Sequence, residues 1–332
     1  MTGSVDGATG RCGAAARDGL PMARVAAVLR SALPSLALGL ILATIFWRQP
    51  RAMSYFGLNL LLNLAIPIIF AALAQMMIIT IGDLDLSIGP FVSLVACIGA
   101  VLLPDRPLLG VLALAGCIAI YAAVGALVAL RRLPSIVVTL GLSFAWLGLA
   151  ILLLPTPGGK APQWLISALN VRPPLAPLPI WVALAVAAAT HWMIIGSAWG
   201  TVLRGAGGNP RSVERAGWSL LRIRVTLYAL AGGFGILSGL SLVGLTTSAD
   251  ANIATRYTLL SIAAVILGGG EFVGGRVAPG GAVVGALTMT VAASFLTFMQ
   301  IRPDWQIGAQ GLILIVVLAL RALIDRLGSA AP

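Results

Sequence analysis

The sequence predicts an all-α polytopic membrane protein with about ten transmembrane helices. Of its 332 residues, 59% are hydrophobic and only 9% are charged, and the mean hydropathy is +1.03. Soluble domains carry about 25% charged residues, so this chain has too little polar surface to remain in water. Its 39 glycines and 19 prolines are scattered through long apolar runs, which suits spanning helices that pack closely and bend.

Ten apolar runs approach the length needed to cross a bilayer, because a hydrocarbon core about 30 Å thick takes about 20 helical residues. The first run lacks a small-residue cleavage site at its end, so we expect an uncleaved first span. The eighth run is short and leads into Gly268-Gly269-Gly270, so we expect a broken or partly re-entrant span there. The ten runs are 31–47, 58–81, 88–103, 108–130, 136–154, 178–195, 225–247, 257–268, 281–299 and 307–323.

Basic residues in the connections predict the orientation. With ten crossings and an inner N-terminus, fourteen arginines fall on the inner side and seven basic residues on the outer side, as the positive-inside rule requires. We therefore expect both termini in the cytoplasm. The chain then consists of a cytoplasmic N-terminal segment, 1–30, and a transmembrane domain, 31–325, with a long inner loop at 196–224.

The inventory of reactive side chains argues against an enzyme. His191 is the only histidine, which leaves no histidine-rich metal site and no obvious Ser-His-Asp arrangement. The single lysine, Lys160, is followed by alanine, so there is no phosphate-binding loop of the G-x-x-x-x-G-K-[ST] type. Cys12, Cys97 and Cys117 show no C-x-x-C spacing. We expect transport, with no catalytic residue, no metal, no cofactor and no nucleic-acid partner.

Spans two and three carry many polar and helix-bending residues for membrane helices. Polar groups at that depth usually face a bundle interior or a watery cavity, although interhelical hydrogen bonding explains each of them equally well. In later spans, Ala231, Gly235 and Gly239 recur at a four-residue spacing that lets helix backbones approach closely. The candidates for lining a solute path are Asn63, Gln75, Thr139 and Ser143.

Two carboxylates stand just before the third run. Asp85 or Ser87 can accept hydrogen bonds from the free N–H groups at a helix start, where the dipole favours a carboxylate. Capping explains one acidic residue. Two of them also fit an ion-pairing site for a partner or a moving loop, and both interpretations stay open. The residues of this motif are Asp83, Asp85, Ser87 and Gly89.

The inner loop contains a predicted helix of about two turns. Asn209 suits the N-cap, Pro210 the first helical position and Gly217 a left-handed stop. So short a helix is marginal alone, and we expect it to dock onto the inner face of the bundle or onto another protein. Its residues and flanks are Gly207, Gly208, Asn209, Pro210, Arg211, Ser212, Val213, Glu214, Arg215, Ala216 and Gly217.

Together these stretches resemble the permease subunits of ATP-binding-cassette importers of the ribose and xylose type, relatives of the branched-chain amino acid permeases. The resemblance rests on residues 85–89, 139–141, 207–217, and 262–269 with 274–276, and it covers roughly residues 55 to 325. Two positions depart from the family pattern. Asp83 stands where a second glycine is usual, and Thr258 stands where an acidic residue usually follows the tyrosine.

The resemblance implies that 207–217 is a coupling helix seated in a cleft of a separate cytoplasmic ATPase subunit, which binds the ATP. It also implies a second permease copy, identical or paralogous, a periplasmic solute-binding protein, a monosaccharide as cargo and a location in the cell inner membrane. Two alternatives remain. One is an importer of this family for an amino acid or a nucleoside, and the other is an ion-coupled secondary transporter that uses Asp83 or Asp85 as its proton site.

Overall fold

The computed structural model of the chain describes residues 34–300 without a break. The predicted N-terminal segment, 1–30, and most of the predicted tenth span, 307–323, therefore lie outside the described residues. Beyond residue 300 the described residues are Arg302, Trp305, Gly308, Gly311, Leu312, Ile315 and Ala319.

Most of the described part of the chain is helical. It contains no strand, only an isolated antiparallel bridge between Gly158 and Ala249. The helices are α1 (Pro34–Arg48), α2 (Tyr55–Leu61), α3 (Ala65–Thr80), α4 (Ile88–Asp105), α5 (Pro107–Arg131), α6 (Ser135–Leu153), α7 (Gln163–Leu169), α8 (Leu178–His191), α9 (Ala198–Gly208), α10 (Pro210–Arg215), α11 (Leu220–Thr246), α12 (Tyr257–Leu267) and α13 (Pro279–Phe298). A short 3-10 turn, Pro50–Met53, precedes α2, and a π turn, Trp192–Gly196, extends α8.

Six of these helices are long and apolar enough to cross a membrane: α4, α5, α6, α8 with its π turn, α11 and α13. The pair α2 and α3, bent by 41° at residues 62–64, forms a seventh if it is counted as one span. Helices α1 and α12 are apolar but shorter. The prediction of a multi-pass membrane protein is thus confirmed, whereas ten spans and the side on which the termini lie stay predictions.

Burial divides the spans into a centre and a periphery. Nearly all of α3 is buried. Of the most apolar 18 residues of each spanning helix, 72% are buried in α4, against 28% in α5, 17% in α6 and 22% in α8. A helix that is apolar all round and buried belongs in the interior of a bundle. The exposed apolar side chains of α6, such as Leu140 and Phe144, suit contact with lipid.

Glycines let α11 pack directly on α4, as the four-residue spacing predicted. A Cβ on Gly239 would lie 2.5 Å from the Val95 Cβ, and one on Gly235 would lie 2.5 Å from the Phe91 Cε1. Real side chains do not approach that closely, so a larger residue at either position would push the two helices apart.

Helix α12 lies in the eighth predicted span and has 11 residues, fewer than a bilayer crossing needs. A non-helical stretch along α4 precedes it. At one end of this stretch Ala249 bridges to Gly158, and the nearby Lys160 N–H donates to the Ala100 carbonyl of α4. At the other end the Thr258 Oγ1 accepts from the Gly89 N–H in the first turn of α4. A broken or partly re-entrant eighth span stays a prediction.

Candidate functional site

Helix α10 forms as its end signals predicted. The Asn209 Oδ1 accepts a hydrogen bond from the Ser212 N–H at 3.2 Å, and Pro210 is the first helical residue. The chain leaves the helix at Gly217, whose φ is +83°, a conformation that glycine adopts without strain. The six-residue helix Pro210–Arg215 is the shortest α-helix among the described residues.

One apolar side chain attaches α10 to the rest of the protein. Val213 is buried, and a Cβ added to Gly205 of α9 would lie 3.1 Å from the Val213 Cγ2. The Val213 carbonyl also accepts from the Trp218 N–H at 3.2 Å, which closes the turn after the helix. The remaining surface of α10 is therefore open to contact by a partner. Its exposed residues are Pro210, Arg211, Ser212, Glu214 and Arg215.

Helix α9 is wedged against two other backbones just before α10. A side chain on Gly207 would overlap the carbonyl of Thr80, the last residue of α3, and would lie 2.5 Å from the Gly275 N. The Gly275 N–H donates to the same Thr80 carbonyl at 2.8 Å. Gly274 completes the contact, since a Cβ there would lie 2.9 Å from the Gly207 carbonyl oxygen. Gly207 therefore holds α9 in direct contact with the end of α3 and with the connection between α12 and α13.

The neighbouring glycines of the loop are not packed in this way. A Cβ on Gly208 or on Gly217 would meet no atom within 4 Å. Gly217 is required only for its positive φ, whereas Gly208 has neither a steric nor a conformational requirement within the described residues.

A buried polar centre lies inside the bundle, in the non-helical segment 81–87 between α3 and α4. Asp85 is fully buried, and its Oδ1 accepts from the Ser87 N–H at 2.7 Å and from the Ser87 Oγ at 2.6 Å. Its Oδ2 accepts from the Tyr121 hydroxyl of α5 at 2.8 Å. A buried carboxylate needs such donors because it has lost its contact with water.

Other helices satisfy the backbone of the same segment. Ser135 and Thr139 of α6 accept from the N–H groups of Leu84 and Leu86, at 3.2 and 3.1 Å. Gln75 of α3, with its amide oriented to match both partners, donates to the Asp85 carbonyl at 3.0 Å and accepts from the Asp85 N–H at 3.2 Å. Buried backbone N–H and C=O groups need hydrogen-bond partners, and here the side chains of neighbouring helices supply them.

Neither Asp85 nor Ser87 caps α4 with its side chain, so the capping interpretation is wrong for both. Ser87 is the N-cap residue, but its side chain makes no capping bond. The Gly89 N–H of the first turn donates instead to the Thr258 Oγ1 at 3.0 Å. Asp85 folds back onto Ser87 because the segment is not helical there, which turns the carboxylate away from the first turn of α4.

Asp83 forms an ion pair with α11. The Asp83 Oδ2 lies 3.1 Å from the Arg224 Nε and accepts from the Tyr228 hydroxyl at 3.2 Å. Arg224 and Tyr228 are four residues apart and therefore lie on one face of α11. Asp83 thus pairs with an arginine of its own chain, and an ion pair with a partner protein or a moving loop stays a prediction.

The four candidates for a solute path lie in different surroundings. Gln75 and Thr139 are fully buried and bond the segment 81–87. Ser143 is half-buried on α6 and donates to the carbonyl of Leu140 at 2.6 Å. Asn63, in the break between α2 and α3, lines a cavity. Their role in transport stays a prediction.

Sequence reasoning did not assign Tyr121, Arg224 or Thr258 to the buried polar centre. Tyr121 and Arg224 are marked only by a polar group in or beside an apolar run, and Thr258 was noted only as a departure from the family pattern. Their partners lie between 34 and 172 residues away along the chain, so only the fold brings them together.

A family model supplies the comparison that decides the class of the protein. The model described as "Branched-chain amino acid transport system / permease component" matches residues 57–318. The chain belongs to this family. The match covers every helix from α3 to α13, and therefore the buried polar centre at 81–87 and the α9–α10 loop. No solved structure matches the chain.

Curated relatives are similar over most of their length. The ribose import permease protein RbsC of Escherichia coli K12 is 26% identical over 305 residues, which is 87% of this chain and 92% of the relative. The galactose/methyl galactoside import permease protein MglC of Salmonella typhimurium is 28% identical over 311 residues, covering 85% and 91%. The probable ABC transporter permease protein YphD of Escherichia coli K12 is 28% identical over 293 residues, covering 85% and 87%.

Proposed function

We propose that this chain is the membrane-spanning permease subunit of an ATP-binding-cassette importer that carries a monosaccharide across the cell inner membrane. Family membership supports the permease role, and the similarity to ribose and galactose permeases supports a monosaccharide. A separate cytoplasmic ATPase binds the ATP, a periplasmic solute-binding protein delivers the sugar, and a second permease copy completes the path.

The observation that carries this proposal is the attachment of α10. The helix presents exposed polar residues around a single buried anchor, Val213. Immediately before it, Gly207 is packed against Thr80 and Gly275 without room for a side chain. An ATPase that binds α10 therefore moves α9, the end of α3 and the α12–α13 connection together. This movement changes the side of the membrane from which the solute can enter the path.

Reconstitution into vesicles tests the proposal. We expect ATP-dependent uptake of D-ribose or D-galactose when the chain is combined with its ATPase and solute-binding protein. Gly208→Leu is expected to abolish uptake with an unchanged amount of protein in the membrane, because the position is open within the chain and adjoins α10. Uptake driven by a proton gradient without the ATPase would instead support the secondary-transporter alternative.

A further inference from the structure

The connection between α12 and α13 forms a tight turn with two exposed apolar side chains at its tip. Phe272 is 51% exposed and Val273 is 78% exposed. Glu271 and Arg276 close the base of the turn, since the Glu271 N–H donates to the Arg276 carbonyl at 3.0 Å and their side chains form an ion pair at 3.2 Å. We call residues 271–276 the α12–α13 turn.

Glycines fix the α12–α13 turn on the rest of the protein. Gly274 and Gly275 have φ values of +79° and +72°, which a side chain would strain. The Gly275 N–H donates to the Thr80 carbonyl at 2.8 Å, and a Cβ on Gly274 would lie 3.0 Å from the Gly82 N. The turn is therefore held in one position with its apolar tip exposed. A surface held in this way loses little conformational freedom when a partner binds it.

The turn adjoins helix α10. A Cβ on Gly275 would lie 2.9 Å from the N of Gly208, two residues before α10 begins at Pro210. A groove of about 600 Å³ lies between the turn and α9. Val273 lines this groove beside the polar side chains of Thr201, Arg204, Glu271 and Arg276. The turn, the groove and the exposed face of α10 therefore form one continuous surface.

Helix α10 is too small to form a complete protein interface by itself. Its six residues span about 9 Å, and five of them are exposed. A stable protein–protein interface takes about 800 Å² from each partner, or about 20–30 residues a side. A partner centred on α10 therefore covers neighbouring surface as well, and the α12–α13 turn belongs to that surface.

The chemistry of the turn and its groove suits a folded protein. Phenylalanine and arginine are enriched at protein interfaces, and Phe272 stands at the tip of the turn while Arg276, 75% exposed, stands at its base. Insertion of the tip into a bilayer would draw the Glu271–Arg276 pair towards the hydrocarbon, which is costly. A folded partner covers the apolar tip and fills the charged groove together.

We propose that the α12–α13 turn is a second contact surface for the cytoplasmic ATPase subunit, beside α10, and that Phe272 and Val273 become buried when the two subunits assemble. The inference rests on the proposed function and adds a second region of the chain to the contact with the ATPase. The ATPase then meets the chain on both sides of the groove.

Thiol labelling tests this contact in the purified permease with and without its ATPase subunit. Val273→Cys is introduced together with Cys12→Ser, since Cys97 and Cys117 are buried. We expect the ATPase to slow the reaction of the introduced thiol with a maleimide by at least about tenfold, because an interface excludes water from the residues that it covers. A Ser248→Cys control, exposed at the other end of α11, should react at an unchanged rate.

The same measurement on Arg211→Cys separates this inference from the proposed function. Protection at position 211 without protection at position 273 would overturn the second contact and leave the contact at α10 standing. Protection at neither position in a stable complex would contradict both. A thiol at position 273 that reacts fast in detergent but slowly in lipid vesicles without the ATPase would place the turn in the bilayer, and it would also overturn the proposal.

Phe272→Ala measures how much the tip contributes to binding. The ring is half exposed in the free permease, so the melting temperature should stay unchanged. The dissociation constant for the ATPase should rise about five- to thirtyfold, the range from a significant contact to a hot spot. Phe144→Ala is the matched control, because it removes an exposed ring from the middle of α6, and it should leave the dissociation constant at the wild-type value. Equal dissociation constants for Phe272→Ala and wild type would contradict the contact.

Discussion

The segment 81–87 and helix α10 are both short and lie between longer helices, yet they differ in burial and in hydrogen bonding. In the segment, Asp85 is fully buried and bonded by Ser87 and Tyr121. In α10 only Val213 is buried, and the other residues face outward. The difference indicates that the segment is a fixed joint between helices, and it supports the proposal that α10 is the surface that receives a partner. The substitutions below test this contrast, from the largest expected effect to the smallest.

Gly207→Leu should have the largest effect, because a side chain there overlaps the Thr80 carbonyl. Backbone atoms cannot move aside as a flexible side chain does, so we expect a loss of more than about 4 kcal/mol of stability and little folded protein. Thermal unfolding in detergent measures this. Gly208→Leu is the matched control and should melt at the wild-type temperature. Similar melting of the two variants would contradict the wedge at Gly207.

Tyr121→Phe tests the fixed joint. It removes one donor from the buried Asp85 carboxylate while keeping the ring that packs against Phe91 at a centroid distance of 4.6 Å. A hydrogen bond to a charged group contributes about 1.5–3 kcal/mol, so the melting temperature should fall clearly. Tyr55→Phe, which loses an exposed bond to Pro173, should change it much less. A joint that is mobile in the folded protein would show no difference between the two variants.

The ion pair between Asp83 and Arg224 should contribute less, because the Arg224 side chain is 29% exposed. A double-mutant cycle of Asp83→Asn and Arg224→Gln should give a coupling energy of about 1 kcal/mol, at the upper limit for exposed pairs. The cycle is measured by chemical denaturation in detergent. A coupling energy near zero would mean that the pair does not fix α11 to the segment.

Val213→Ala should have the smallest effect on global stability, since the residue anchors only α10. Removing its two methyl groups weakens the docking of α10 on α9 by roughly 1–2 kcal/mol. Hydrogen exchange at the amides of 209–217 should accelerate, while exchange at 84–89 should stay unchanged. Acceleration in both regions would show that the two are not independent.

Much of the fold follows from the sequence, because the bilayer fixes the length of an apolar helix. The prediction 88–103 corresponds to Ile88–Asp105, and 136–154 to Ser135–Leu153. Helix α10 was also predictable, since its start and stop depend on local chemistry at Asn209, Pro210 and Gly217.

The interior of the site did not follow from the sequence. Thr258 bonds Gly89 across 169 positions of the chain, and Arg224 pairs with Asp83 only because α11 packs beside the segment. Capping, the local interpretation of Asp85, failed because a non-helical segment can direct a carboxylate onto a neighbouring hydroxyl. Contacts of this kind depend on packing, which no local pattern encodes.

The central claim is that the exposed face of α10 receives the ATPase. The most direct measurement is the reactivity of a single accessible cysteine, Arg211→Cys with Cys12→Ser, in the purified permease with and without its ATPase subunit. Binding of the ATPase should slow labelling at this position by at least about tenfold and leave a Ser248→Cys control, at the other end of α11, unaffected. A stable complex in which the cysteine at position 211 reacts as fast as in the free permease would contradict the account.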